Sequence, residues 1–155
     1  MEKPMRASFA VIAGLLICPL ILAGCSKPQA PAGKWEGGYA SGGVMVVARV
    51  EIGPDGQVKV SAPDIVSAED AKPEVVEQNR ARLASDLAAA WDSVKPRPFD
   101  FDGKTFRKPG GVAPQMEWDK ASNQMVLELY IGANAALPIP LRPVAEFHDN
   151  PWASG

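Results

Sequence analysis

Apolar and polar side chains alternate along much of the chain, and each alternating run predicts a β-strand. The first such run extends from Val44 to Ile52, and the residues on its apolar face are Val46, Ala48, Val50 and Ile52. The opposite face, which we expect to meet solvent, carries Val47, Arg49 and Glu51. A turn sequence at 53–56 follows, and alternation resumes from Gln57 to Ser61. This order predicts a β-hairpin.

The spacing of apolar residues changes to that of an amphipathic helix between Ser67 and Val94. The apolar stripe consists of Val76, Leu83, Leu87, Trp91 and Val94. Pro73 suits the first helical turn, and Pro96 prevents the helix from continuing. The sequence therefore predicts one helix from about Pro73 to Val94.

Two more hairpins are predicted after the helix. The dipeptide Asp102-Gly103 favours a tight turn, and it lies between Phe99–Phe101 and Lys104–Phe106. Longer alternating runs, Gln115–Trp118 and Gln124–Ile131, flank the next turn. Their side chains expected to face the core are Met116, Trp118, Leu127, Leu129 and Ile131.

Glycine and proline predict irregular backbone at both ends of this region. Four glycines surround Tyr39 and are interpreted as a flexible bend before the first strand; they are Gly37, Gly38, Gly42 and Gly43. The apolar segment Leu137–Val144 contains three prolines, Pro138, Pro140 and Pro143. Because proline lacks the N–H that a central strand donates, we expect this segment to lie as an extended edge.

Together these elements predict an α+β domain over residues 34–155. Its main form is an antiparallel sheet of about five or six strands, arranged as hairpins and packed against one long amphipathic helix. The alternative is a small, partly closed β-barrel with the helix at one end.

The first 24 residues have the pattern of a secretory signal. Lys3 and Arg6 supply the charged start, and an apolar run extends from Ala7 to Leu22. This run is too short for a spanning helix, which needs about 20 apolar residues, and Pro19 interrupts it. We therefore expect residues 1–24 to be cleaved. Residues 26–33 lack large apolar side chains and predict a flexible tether.

The end of the signal reads Leu22-Ala23-Gly24-Cys25 and resembles the lipobox of bacterial lipoproteins. The resemblance implies that Cys25 is acylated and becomes the mature N-terminus, so that membrane lipid is its first partner. Several acyl chains hold a protein on a membrane far more firmly than one. Ser26, and not aspartate, follows the cysteine, which by the same resemblance favours the outer over the inner membrane, on the periplasmic side.

Charge and composition narrow the function classes. The chain of 155 residues has a net charge of −2, one histidine and two cysteines. Such a chain has no basic field for nucleic acid and few ligands for zinc, so we expect no nucleic-acid partner, no metal and no cofactor. Cys18 lies in the leader. Its removal leaves Cys25 without a partner for an intramolecular disulfide.

Few residues suggest catalysis. His148 precedes Asp149, but no G-x-S-x-G sequence supplies a nucleophile for a hydrolase. Asp100 and Asp102 alternate along a strand and are candidates for a loose calcium site. Glu117 and Asp119 are candidates for a pair of carboxylates in acid–base catalysis. The interpretation we prefer is that Asp100 and Asp102 flank a turn and that Glu117 and Asp119 lie on the solvent face of a hairpin strand.

Two features suggest binding. One is a basic cluster interleaved with phenylalanines and formed by Lys95, Arg97, Lys104, Arg107 and Lys108. We prefer to interpret it as a solvated face, and the alternative is a contact surface for anionic envelope polymers or lipid headgroups. The other is Gly33-Lys34-Trp35, which resembles the G-x-W signature of lipocalins. That resemblance implies a barrel that Trp35 closes at one end and a pocket for an apolar ligand. It also implies that an arginine late in the chain stacks on Trp35, and Arg142 is the counterpart of that arginine.

The sequence thus leads us to expect a lipid-anchored, non-enzymatic binding or structural component of the bacterial cell envelope. An envelope protein or peptidoglycan would be its partner. The alternatives are a lipocalin-like carrier of a lipid or small apolar ligand and, third, a hydrolase that uses His148.

Overall fold

The computed structural model describes residues 26–132 and 135–152. The predicted signal at 1–24 and the acylation site Cys25 lie outside the described residues. Within these ranges the chain forms nine strands and one helix. They are β1 (Gly33–Ser41), β2 (Val44–Ile52), β3 (Val58–Ser61), β4 (Ile65–Ser67), α1 (Pro73–Trp91), β5 (Asp100–Phe101), β6 (Thr105–Arg107), β7 (Pro114–Asp119), β8 (Gln124–Tyr130) and β9 (Ala136–Val144).

The strands form one antiparallel sheet that curls into a partly closed barrel. Its order is β3-β2-β1-β9-β8-β7-β6-β5, and β4 pairs separately with β2. The two ends of this order meet where Val58 and Arg97 exchange backbone hydrogen bonds of 2.9 Å in each direction. The expectation of an antiparallel sheet with one helix is confirmed, whereas the count of five or six strands is wrong.

The strand count was too low mainly because two strands carry residues that usually interrupt strands. Gly37 and Gly38 lie inside β1, so they do not form the predicted bend. The proline-rich β9 lies between β1 and β8 and is not an edge. It pairs with β8 over 136–141 and with β1 only over 142–144. Alternate residues of an antiparallel strand donate to the same neighbour, so prolines at 138 and 140 leave donors at 137, 139 and 141.

The predicted hairpins are present in their expected places. β2 and β3 pair with Ile52 opposite Val58, β5 pairs with β6, and β7 pairs with β8. Met116 and Leu127 are buried as expected, but Ile131 lies beyond the end of β8 and is 44% exposed. Its inward assignment is therefore wrong.

Helix α1 begins at Pro73, as predicted, and ends at Trp91, one turn earlier than expected. Its buried face contains Leu83, Ala84 and Leu87. These leucines pack with Met45 and Val47 on the outer face of β2. Strand β2 is therefore covered on both faces, which corrects the expectation that Val47 and Arg49 meet solvent.

The larger core fills the inside of the barrel. Its residues are almost completely buried, and they include Trp35, Val46, Val50, Phe106, Met116, Met125, Leu127, Ile139 and Leu141. They come from strands that lie opposite one another across the barrel, and their side chains meet in its interior. Dense apolar packing of this kind stabilises the domain without a disulfide.

The segment before β1 lies against the domain. Ala30 packs on the barrel core, and a Cβ placed on Gly103 would lie 3.6 Å from the ring of Pro28. The predicted tether therefore contacts the domain at these two points. Among the described residues, no helix has both the length and the apolarity needed to cross a membrane.

Candidate functional site

The C-terminal segment at 145–152, here called the strap, crosses the outer face of the barrel beside α1. Glu36, on β1, is fully buried beneath it. The backbone N–H of His148 donates to Glu36 Oε2 at 3.1 Å, and His148 Nδ1 lies 2.5 Å from Glu36 Oε1. The imidazole itself is 56% exposed. One buried carboxylate thus holds both the backbone and the ring of a surface histidine.

Arg49 of β2 completes this cluster. Its Nη2 donates to the backbone oxygen of His148 at 2.6 Å, and its Nε lies 3.8 Å from Glu36 Oε2, an ion pair without a hydrogen bond. Burial of a lone carboxylate is very costly, and a paired arginine offsets that cost. Arg49 therefore explains how Glu36 can be fully buried beneath the strap.

Phe147 joins the strap to both the sheet and the helix. Its ring centroid lies 4.9 Å from the Arg49 guanidinium and 5.5 Å from Lys34 Nζ. It also meets the ring of Trp91, at the end of α1, edge to face at 4.8 Å. Lys34 in turn pairs with Glu146, and that contact raises the pKa of the Lys34 ammonium.

The end of the strap is fixed by Trp152. Its indole N–H donates to the backbone oxygen of Arg80 in α1 at 3.2 Å. Its ring covers Gly38 so closely that a Cβ there would lie 2.5 Å from it. Arg142 donates to the oxygen of Pro151 at 3.0 Å. These contacts give Gly38 a packing role that its residue type alone did not reveal.

The cluster of Glu36, Arg49 and His148 beneath the strap, here called the strap cluster, contains two parts of a catalytic triad, and the described residues do not supply the third. The acidic partner of His148 is Glu36, which the sequence had not singled out. A hydrolase also needs a nucleophile within hydrogen-bond reach of the imidazole, and among the described residues no serine forms a hydrogen bond with His148. The contacts of His148 within the described part of the chain attach the strap to the barrel.

The carboxylates of the first acidic pair, Asp100 and Asp102, accept hydrogen bonds from residues in the nearby turns and strands. Asp102 accepts from the N–H groups of Lys104 and Thr105 at 3.0 and 2.7 Å and from Arg107 at 2.6 Å. The Arg107 contact, followed by these backbone bonds, holds the pKa of Asp102 far below its usual range. Asp100 accepts from Gly110 N–H at 3.2 Å. Both carboxylates thus already have protein partners.

The carboxylates of the second acidic pair, Glu117 and Asp119, also have partners within the protein. Asp119 accepts from the Ser122 hydroxyl at 2.6 Å and from Ala121 N–H at 3.0 Å, which lower its pKa. Glu117 lies 3.3 Å from Lys104 Nζ. In the part of the chain that the structure describes, no three His, Cys, Asp or Glu residues are grouped so that they could hold a metal ion.

The basic cluster divides into two groups. Lys104 and Arg107 form ion pairs with Glu117 and Asp102. Lys95, Arg97 and Lys108 instead line a lateral groove in the barrel wall, and within residues 26–132 and 135–152 none of these three forms an ion pair. The sequence identified the cluster, but only the structure separates its paired members from those that face the groove.

The lateral groove lies between β3 and the strands β7 and β8. The groove consists of two neighbouring depressions, and the first has a volume of about 650 Å³, within the ~300–1,000 Å³ typical of small-molecule sites. Its apolar wall includes Val60, Leu127 and Leu129. A second depression of about 470 Å³ shares Val60 and Leu127 with it and extends towards Val94 and Arg97.

The lipocalin-like signature does not lead to the arrangement that it implied. Trp35 points into the core and is 2% exposed. Arg142 pairs across the ladder with Glu36, the residue after Trp35, and therefore lies on the opposite face of the sheet. Arg142 thus faces the strap and is not the stacking partner of Trp35.

Comparison with protein-family models, with curated proteins and with solved structures finds no match for this chain. Its function therefore has to be inferred from its residues and their geometry.

Proposed function

We propose that this chain is a bacterial lipoprotein, held on a membrane of the cell envelope by acyl chains on Cys25, and that its domain is a non-enzymatic binding or structural component. The sequence Leu22-Ala23-Gly24-Cys25, placed after an apolar run of signal length, carries the proposal. Ser26 supports the outer membrane as the location.

The arrangement of the first described residues is compatible with an anchor at that position. Strand β1 begins at Gly33, shortly after Cys25, and the intervening segment lies along the domain at Pro28 and Ala30. An anchor on Cys25 would therefore keep the domain close to the membrane surface.

A non-enzymatic role draws support from the strap. Glu36 and Arg49 are buried and both hold the strap in place, and His148 is bound by its backbone as well as its ring. Groups used in this way stabilise the fold. An envelope protein or peptidoglycan remains the proposed structural partner.

A second candidate function, carriage of a small apolar ligand, draws support from the lateral groove. Its wall is mainly apolar, it is open to solvent, and it exposes Val60 and Leu129 from the inner face of the barrel. In this candidate the ligand enters through the wall, because the space beneath Trp35 is filled with core side chains.

The anchor can be tested with two cysteine variants of the full chain expressed in bacteria. Cys25→Ala should abolish acylation, measured by mass spectrometry of the intact protein. Cys18→Ala is the matched control, because that cysteine lies in the proposed leader and its loss should leave the mature mass unchanged. Acyl chains absent from the wild-type protein, or a retained leader, would refute the proposal.

A further inference from the structure

The lateral groove combines an apolar wall with positive charge at one end. Val60, Gln115, Leu127 and Lys108 line both depressions, and Val58 and Met116 extend the apolar wall of the second one. Lys95 and Arg97 belong only to the depression near the end of α1. Positive charge is therefore concentrated at one end of the groove, and the end near Tyr130 carries Glu128.

The loop at 108–113 forms one side of the groove and presents an unusually exposed apolar residue. Val112 is 91% exposed, more than the other large apolar residues that the structure describes. It follows Gly110 and Gly111, and Gly110 has a φ of 71° that favours glycine. Exposure of valine to water is unfavourable, so a ligand that covers Val112 would gain binding energy from it.

These two observations specify the chemistry of a ligand. An apolar wall favours a hydrocarbon chain, and three cations that have no ion-pair partner among the described residues favour a negative group at one end of that chain. We propose that the lateral groove binds a single-chain amphiphile with an anionic headgroup. The headgroup lies near Lys95, Arg97 and Lys108, and the chain lies along Val60, Leu129 and Val112.

This inference rests on the second candidate function and deepens it. It is independent of acylation at Cys25, because the groove is built only from described residues of the domain. An unmodified Cys25 would refute the proposed lipid anchor and would not affect the proposal that the groove binds an amphiphile. Failure of the groove to bind would leave the anchor intact.

The test uses the full chain in nanodiscs of neutral phospholipid, with isotope-labelled valine and leucine methyl groups. Octanoate is the probe, and octylammonium and octyl glucoside carry the same chain on a cationic and a neutral headgroup. Butyrate keeps the carboxylate and shortens the chain. We expect octanoate to bind most tightly and to shift the methyl signals of Val60, Val112 and Leu129.

Two substitutions of exposed residues then separate the contributions of charge and chain. Lys108→Gln should weaken octanoate binding about fivefold, as expected for loss of one exposed ion pair, and leave octyl glucoside unchanged. Lys120→Gln, in the turn between β7 and β8, is the matched control and should have no effect. Val112→Ser should weaken both ligands about threefold.

Three results would overturn the proposal. They are methyl shifts confined to residues outside the groove, octylammonium binding as tight as that of octanoate, and equal loss of octanoate binding in the Lys108 and Lys120 variants. Circular dichroism spectra of both variants that match the wild-type spectrum would show that altered binding does not come from unfolding.

Discussion

Glu36 and His148 lie 112 positions apart in the sequence, and a single buried carboxylate joins them through two contacts. Because the backbone N–H of His148 also donates to Glu36, the link does not depend on the imidazole alone. The carboxylate should therefore be more important for stability than the histidine ring.

Substitution of Glu36 tests this difference. Glu36→Gln keeps the shape of the side chain but leaves Arg49 as a buried charge without its anionic partner, so it should destabilise the domain by about 2–4 kcal/mol. His148→Ala should cost about 1 kcal/mol. Urea unfolding measures both. Glu117→Gln, which removes an exposed ion pair with Lys104, is the control and should cost under ~1 kcal/mol. Equal effects of the two glutamate variants would contradict the role of Glu36.

The close approach of Gly38 and Trp152 predicts a strong interaction between two substitutions. Gly38→Ala places a methyl group against the indole and should destabilise the domain by about 1–3 kcal/mol. In the Trp152→Ala background the same change should cost much less, because the ring is absent. A double-mutant cycle measured by thermal unfolding should give a coupling of about 0.5–3 kcal/mol. Strictly additive effects would show that the strap does not cover Gly38.

The contacts of Asp102 predict a loss of stability in acid. Its pKa is lowered in the folded state, so its contribution is complete above the usual aspartate pKa of about 4 and is lost as the pH falls towards the folded-state value. Arg107→Gln removes the largest cause of the shift and should raise the pKa of Asp102. An NMR titration of the Asp102 carboxyl carbon measures this change. An unchanged titration in the variant would exclude Arg107 as the cause.

The packing of α1 on β2 predicts a large effect of one helical residue. Leu87 is fully buried between the helix and the sheet, so Leu87→Ala should cost about 2–5 kcal/mol through lost burial and the resulting cavity. Val75→Ala is the control on the exposed face of the same helix and should cost under ~1 kcal/mol. Similar losses of unfolding free energy would mean that the helix does not pack as described.

Local patterns explain which elements the sequence revealed. The hairpin β2–β3 and helix α1 follow from periodicities within short runs of residues, and both are present. Strand β1 was not predicted from the sequence, because glycines such as Gly37 and Gly38 are more typical of loops than of strands. A Cβ on Gly37 would lie 2.1 Å from the backbone oxygen of Pro140, so the glycine permits close approach of β9. Such a requirement comes from a strand that is distant in sequence.

The strap cluster was missed for a related reason. Alternation with Trp35 places Glu36 on the outer face of β1, and nothing near it in sequence shows that another segment covers that face. The alternation in β2 likewise assigns Arg49 to the solvent face, although it is buried in the structure. These two charges become buried partners only because the strap at 145–152 returns over the barrel.

Within residues 26–132 and 135–152, the pair Val58–Arg97 is the only backbone link between the two ends of the sheet, whereas the other strands pair through longer ladders. Local opening requires the least free energy where few hydrogen bonds must break. Amide hydrogen exchange at these two residues should therefore be faster than at the centre of β2. The wall could then widen at this point, beside the cationic end of the groove, without unfolding of the remaining sheet.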